Sequence, residues 1–406
     1  VDYSLDHDQQ DLRALAADVL DRVAAPAARA ADTPAPAAFD TAAWQGMAQA
    51  GLLGTAVGED AGGTGPGPIE VAVVLREVGA RATPVPALAS LALGSLPVAL
   101  CGTPPQRAAL APAAAGEQLL TAAFCEPGRA DGGTTDPATT AHRDGDGDGY
   151  VLHGVKTAVP YGAAAHTVLV PARLDGGGTG VFLVPGDAEG LSHHPHPTGT
   201  PDPATRIGLD GTRVPAAALL GADTTGAAAR VLHRCALAGL AATVSGALAG
   251  ALDLTTRHVG TRRQFGRALA ELQAVTMKVG DIYVAARALD AAMWAGVWRL
   301  ATSGPPAGDP AAHAHEDTDH VLAAAALLIT DQVLDAFYTA QHLHGGLGVD
   351  AAYPLHRLFS IGRWASSVLG GPEARLDALG RLAARDTPVH VPPVPDPPAL
   401  RHPDHA

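Results

Sequence analysis

Basic residues, cysteines, long apolar runs and several familiar catalytic signatures are scarce or missing in this chain of 406 residues. Lys and Arg number 27 against 41 Asp and Glu, a formal net charge of −14. Phosphate backbones are held by basic faces, so nucleic acid is not an expected partner. The three cysteines, Cys101, Cys125 and Cys235, are far apart and odd in number. This argues against a disulfide framework or a zinc site and for reduced thiols in the cytoplasm. No charged-apolar-small leader opens the chain, which begins Val1-Asp2-Tyr3-Ser4-Leu5-Asp6-His7. Arg, His, Asp, Gly and Pro interrupt the Ala-rich stretches, so no bilayer span is expected. There is no Gly-x-Ser-x-Gly elbow for a hydrolase. Gly62-Gly63-Thr64-Gly65-Pro66-Gly67 follows no strand and lacks a P-loop lysine, which leaves a loop rather than a nucleotide site.

What is present points to a globular chain larger than one domain. Hydrophobic residues make up 47 % and charged residues 17 %, enough apolar material for a sizeable core. No internal repeat is visible. From Asp6 to Leu119 the pattern is helical, with Asp11 to Leu20 and Ile69 to Gly79 spacing apolar residues at helical intervals. Pro26 and Pro34 to Pro36 mark breaks, and Gly58 to Gly67 marks a loop. From Leu120 to about Leu220 short apolar runs alternate with turn residues: Thr121 to Cys125, Tyr150 to Leu152, Thr167 to Val170 and Gly180 to Val184. These read as strands. From Thr225 to Arg385 long Ala- and Leu-rich helices return, interrupted at Gly304-Pro305-Pro306. The Pro-rich tail reads as extended. The expectation is an α+β chain with a helical domain at 1–119, a β domain at 120–222, a helical bundle at 223–386 and a tail at 387–406.

Two segments carry the most specific chemistry. The first is Thr261-Arg262-Arg263-Gln264-Phe265-Gly266. A guanidinium is a planar fork of donors that suits a diphosphate, and glycine permits close backbone approach. The second is Gln341-His342-Leu343-His344-Gly345-Gly346-Leu347-Gly348. Closely spaced glycines expose backbone N–H groups as an anion nest, and a carboxamide offers both a donor and an acceptor. Read alone, the first is more often a structural helix end, and the second is as readily a glycine C-cap as an anion nest. Other candidates reduce further. Asp144-Gly145-Asp146-Gly147-Asp148-Gly149 begins like a calcium loop, but its twelfth position is Val155, so a hairpin turn is expected. His193-His194-Pro195-His196 and His313-Ala314-His315-Glu316 read as exposed loops, and no metal site is expected.

Together the two segments resemble the flavin-binding signature of the acyl-CoA dehydrogenase family. Gln273, Asp350, Tyr353-Pro354-Leu355 and Arg357 fit the same pattern, and the resemblance covers nearly the whole chain. It implies a helical domain, a β-barrel or sandwich and a four-helix bundle. It also implies an FAD shared across a subunit interface, held here through Arg262, Phe265, Gln273, Gln341, Gly345 and Gly346. The implied substrate is an acyl-CoA thioester, desaturated at its α,β bond. In the middle, Cys125-Glu126-Pro127 and Gly154-Val155-Lys156 resemble family segments. Where the family places a Trp and a Thr or Ser against the flavin ring, this chain has Ala158 and Pro160. The family's Gly-Ser-Asp after Glu-Pro is replaced by Arg129-Ala130-Asp131.

The base is missing as well. Desaturation sends the α-proton to a carboxylate and the β-hydride to the flavin, and the base needs a pKa near the working pH. The two positions where the family keeps that glutamate are Leu369 and Ala236 in this chain. His233, one turn before Ala236, and Glu373, one turn after Leu369, are weak substitutes. The chain thus keeps the groups that one subunit contributes to its neighbour's flavin and lacks those it would use itself. It resembles the subunits of actinobacterial heteromeric acyl-CoA dehydrogenases that lack the glutamate. A homologous subunit is the expected partner. A homo-oligomer with altered chemistry and a purely structural subunit are the alternatives.

Overall fold

The computed structural model describes residues 3–27, 39–65, 67–129, 134–145, 148–200, 202–302 and 312–386. Helices come first: α1 (His7–Ala27), α2 (Thr41–Gln49), α3 (Pro68–Arg81), α4 (Leu96–Cys101), α5 (Pro104–Ala108) and α6 (Ala111–Ala114). A π-helical stretch, Leu88–Ser95, leads into α4. Strands follow: β1 (Leu120–Ala122), β2 (Thr140–Arg143), β3 (Gly149–Pro160), β4 (Thr167–Leu174), β5 (Thr179–Pro185), β6 (Leu191–Pro195) and β7 (Ala204–Pro215). The chain then returns to helix with α7 (Ala227–Thr261), a short hairpin of β8 (Arg263–Gln264) and β9 (Arg267–Ala268), and α8 (Gln273–Thr302). Last come α9 (Ala312–Leu328), α10 (Leu334–His344), α11 (Leu355–Val368) and α12 (Gly371–Asp386). A π-helical stretch, Ile329–Val333, joins α9 to α10. The order helix, sheet, helix is the expected α+β architecture.

The central helix α7 is apolar on nearly every side, as a helix wrapped by neighbours must be. It crosses α3 at glycines. A methyl group at Gly246 would stand 1.9 Å from the Arg76 carbonyl oxygen, and one at Gly79 would stand 2.1 Å from that of Thr243. Only the missing side chains allow this approach. One ion-pair cluster ties α3, α7 and α8 together. Asp290 receives Arg76 at 3.2 and 3.1 Å, Arg287 at 3.1 Å and the Ser245 hydroxyl. Arg234 on α7 grips Asp319 on α9 at 2.6 and 2.9 Å.

The strands form one curled sheet in the order β1-β4-β2-β3-β7-β6, with β5 pairing β4 on its other edge. β4 runs parallel to β1 at its start and parallel to β2 at its end. Most of the expected apolar runs fall on strands, but Ala123 and Phe124 lie beyond β1. Strands β2, β6 and β7 carry no continuous apolar run: β7 alternates in burial, β2 buries only Ala141, and no residue of β6 is fully buried. The acidic run after β2 does connect an antiparallel pair, β2 and β3, although Asp146 and Gly147 lie outside the described residues.

Several expectations need correction. His193, His194 and Pro195 are not in a loop; they form the edge strand β6. Pro195 is tolerated there because an edge strand need not donate on both sides. His313 to Glu316 belong to helix α9 rather than a loop. α1 continues one residue past Pro26. Two helices, Ala227–Thr261 and Asp317–Val349, are long and apolar enough to cross a bilayer by length and composition, contrary to the sequence reading. The most apolar window of the first is 83 % buried inside the protein, which is how a core helix passes the same test. Pro34 to Pro36, Ala130, Asp131, Gly304-Pro305-Pro306 and the tail 387–406 lie outside the described residues.

Candidate cofactor and substrate site

The Arg262 segment is more than a helix end. α7 stops at Thr261, and Arg262 turns to extended backbone while its N–H still donates to the His258 carbonyl at 2.8 Å. β8 and β9 then pair, with Arg263 opposite Ala268 and Gln264 opposite Arg267. The two residues between them, Phe265 and Gly266, have φ of +53° and +78°. That is the backbone of a tight two-residue hairpin turn, in which a phenylalanine is strained. The strained ring is also 86 % exposed. Arg262 is exposed, and among the described residues its guanidinium has no hydrogen-bond or ion-pair partner. Gln273 opens α8 and is exposed too.

The second segment is built differently from the expectation. Gln341 sits on α10, but its Nε2 donates to the Gly348 carbonyl at 3.3 Å. Its carboxamide closes the glycine turn on itself. Gly345 has φ +60°, and Gly345 and Gly346 have open space where a Cβ would stand. His344 anchors the turn from below: Nδ1 lies 2.8 Å from the Ala340 carbonyl, which can only accept, so Nδ1 carries the proton. Its ring stacks on His258 with centroids 4.5 Å apart. This stack joins the end of α7 to the start of the turn.

The elements that carry these groups also expose apolar side chains. Met277 and Val284 on α8 are 63 and 64 % exposed, and Val349 after the turn is 69 % exposed. Tyr283, Tyr338 and Leu347 add to it. Apolar side chains exposed on the helices next to a cation-bearing hairpin and a glycine turn suit a partner surface better than water. An uncommitted guanidinium and an open glycine turn together fit a diphosphate-bearing group.

The inward half is closed. Ala236 on α7 and Leu369 at the end of α11 line one cavity of about 10 Å³ with Phe124, His233, Leu237, Leu240, Val368 and Arg375. Both positions that could carry a glutamate therefore converge on one place, and both are apolar and buried. Two successive left-handed glycines, Gly370 (φ +80°) and Gly371 (φ +81°), end α11 there and turn the chain into α12. Glu373 does not line this cavity. It lines a separate open cleft with Arg129, Asp377 and Arg381.

The strand end expected to meet a flavin ring is strained. β3 bulges between Lys156 and Val159, and Ala158 and Tyr161 have φ of +51° and +54°. Tyr161 donates to Asp202 at 2.8 Å, and burial pushes the Asp202 carboxyl above its ordinary range. Pro160 offers only its carbonyl, which accepts from Thr121 at 2.8 Å.

One pairing was missed. Glu126 and Lys156 were read as parts of two separate motifs, yet they form a buried ion pair at 2.7 Å. Glu126 also accepts from the Ala138 and Thr139 backbone and from the Thr139 hydroxyl, while Lys156 donates to the Pro171 carbonyl. Burial brings the ammonium down to about 8 against the opposing pull of Glu126. The single signal in the sequence was a lone lysine in a strand otherwise rich in apolar residues. Among the described residues no group of three or more His, Cys, Asp or Glu is placed to hold a metal.

Three family descriptions match in sequence: the acyl-CoA dehydrogenase N-terminal domain at residues 6–118, the middle domain at 121–210 and the C-terminal domain at 231–382. FadE28 of Mycobacterium tuberculosis is 33 % identical over 337 residues, which span 83 % of this chain and 91 % of FadE28. FadE27 of the same organism is 30 % identical over 390 residues, 96 % of this chain and all of FadE27. The solved ChsE4-ChsE5 complex from Mycobacterium tuberculosis superimposes with a TM-score of 0.82 at 30 % identity, covering 96 % of this chain and 100 % of that one. A variant of the Tcur3481-Tcur3483 steroid ACAD superimposes at 0.80 with 33 % identity, covering 93 % of this chain and 98 % of that one. Butyryl-CoA dehydrogenase from Megasphaera elsdenii, at 21 % identity and a TM-score of 0.80, shares the fold. The chain is a member of the acyl-CoA dehydrogenase family.

Proposed function

We infer that this chain is one subunit of a heteromeric acyl-CoA dehydrogenase in which it completes an FAD site held mainly by a homologous partner. The observation that carries the reading is the contrast between its two halves. The outward groups, Arg262, Phe265, Gly345 and Gly346, stand ready on an exposed apolar surface. The inward place for a base holds Leu369 and Ala236 around about 10 Å³, too little for an acyl chain. Arg262 would hold a diphosphate by charge and the glycine turn by backbone N–H groups, with Phe265 and Gln273 on the same surface. FAD bound there supplies a hydride acceptor, and the partner supplies the carboxylate that takes the α-proton. Two structural relatives are described as two-chain assemblies, one of them a steroid ACAD. That supports a heteromer and a bulky CoA thioester as the substrate.

The test is flavin absorbance per chain, for this chain alone and co-expressed with a family member that carries the glutamate. The reading expects a colourless chain alone and a yellow complex, and it expects Arg262→Ala to strip flavin from the complex. A chain that alone retains one flavin per copy would overturn it. One observation favours a second reading, a homo-oligomer with altered chemistry: His233 lines the same cavity as Leu369 and Ala236. It requires His233→Ala to abolish turnover by the chain alone while the fold survives. If neither flavin nor thioester binds in any assembly, a purely structural subunit remains.

A further inference from the structure

Two stacked imidazoles lie beneath the glycine turn, and the role just argued makes no use of them. His258 is on α7, one turn before Arg262. His344 is the last residue of α10, directly before Gly345. Their planes are inclined by 22°. His344 is 5 % exposed, and the Tyr353 ring closes against it at 5.3 Å. With Nδ1 committed to Ala340, a neutral His344 leaves Nε2 as a buried acceptor without a partner. A second proton there would place a buried cation against His258, with Arg262 one turn further along α7. Arg257, beside His258, is occupied by Asp253. The loop after the turn faces the pair with Tyr353, a neutral phenol.

The geometry points to His258 and His344 as positioning residues that keep Arg262 and the Gly345–Gly346 turn in register only while both rings are uncharged. The argument rests on the reading that these two elements serve a shared FAD. The α7 end and the α10 end are separate in sequence, and the stack is a direct ring contact between them. A charge on either ring opposes a charge on the other and on Arg262, and among the described residues neither ring has an ion-pair partner to offset it. Burial first, then His344 and Arg262, hold the His258 imidazole below its usual range, consistent with a stack built to stay neutral. Mild acid should therefore part the two halves of the site before the fold is lost.

The experiment uses the chain in complex with its homologous partner and measures FAD dissociation by fluorescence between about pH 8 and about pH 5.5. For one linked proton the wild-type dissociation constant should climb about tenfold per pH unit once the stack protonates. His344→Phe and His258→Phe keep a flat ring that cannot charge. They should hold FAD within about threefold of wild type at pH 8 and flatten the acid limb. His344→Ala should lose FAD at least about tenfold at every pH, with complex mass and circular dichroism unchanged. A wild-type acid limb in both Phe variants would overturn the inference, as would wild-type affinity in His344→Ala. Arg262→Ala separates the two levels. If it loses FAD while the histidine variants behave as wild type, only this inference fails. If it retains FAD, the shared-site reading fails with it.

Discussion

The face around Arg262 and the pocket around Leu369 lie on the same helical bundle and obey opposite rules. At the face, polar and apolar groups stand exposed: an unpartnered guanidinium, a strained phenylalanine in a turn and two glycines with nothing above them. At the pocket, both positions expected to carry a glutamate, Leu369 and Ala236, hold apolar side chains, and the space has closed to about 10 Å³. Folding alone explains the pocket, because apolar groups packed to density stabilise a core. Folding alone does not explain the face. An exposed phenylalanine at positive φ is strained and packs little within its own chain, which fits the docked partner proposed above. The difference separates what packs this chain together from what the proposed shared site would use.

Changes in the interior should have the largest effect on stability. Lys156→Met leaves buried Glu126 with only the longer contact to Arg129, at 3.8 Å, in place of its 2.7 Å ion pair. It should destabilise the chain by about 3–5 kcal/mol, measured by denaturant unfolding. Leu369→Glu asks a carboxyl to enter the sealed cavity. A loss of about 1–3 kcal/mol is expected, together with an activity test, since regained desaturation would show that the pocket lacks only its base. The face should respond in the opposite way. Arg262→Ala and Phe265→Ser should change the chain's own stability by less than about 0.5 kcal/mol, yet cost the complex its flavin or its partner. A large fall in stability for either would erase the contrast. Ala158→Gly removes a left-handed alanine from the bulge of β3. It should raise stability by about 1 kcal/mol in thermal unfolding. The smallest effect is one of pH. Since the folded state holds His258 below its ordinary range, the unfolded chain binds the proton more readily. Stability from this group is complete above about pH 6.5 and declines as pH falls below it, readable as a drop in melting temperature.

Much of the architecture could be read from residue patterns. The α1 and α3 helices announced themselves through apolar spacing, and strands β4 and β5 through short apolar runs between turn residues. Strands β6 and β7 did not, because a half-exposed strand alternates, and histidines and prolines on an edge look like a loop. In the candidate site, residue types pointed to Arg262 and the glycine turn, since few side chains offer a planar cation and few turns cluster glycine. The family resemblance also implied absences at Leu369, Ala236, Ala158 and Pro160, because a carboxylate or hydroxyl that a family pattern calls for can be looked for without coordinates.

Contacts between distant segments were another matter. Nothing local says that Lys156 meets Glu126, that Ala236 and Leu369 face one cavity, or that Gln341 turns its amide onto Gly348. Nor does it say that His258 lies on His344. By itself the sequence determined which chemical groups the protein has and the helices and strands that carry them, because those follow from side-chain type and spacing. Only the tertiary structure decided which groups meet and which stay exposed, because burial and pairing depend on packing between elements far apart in the chain.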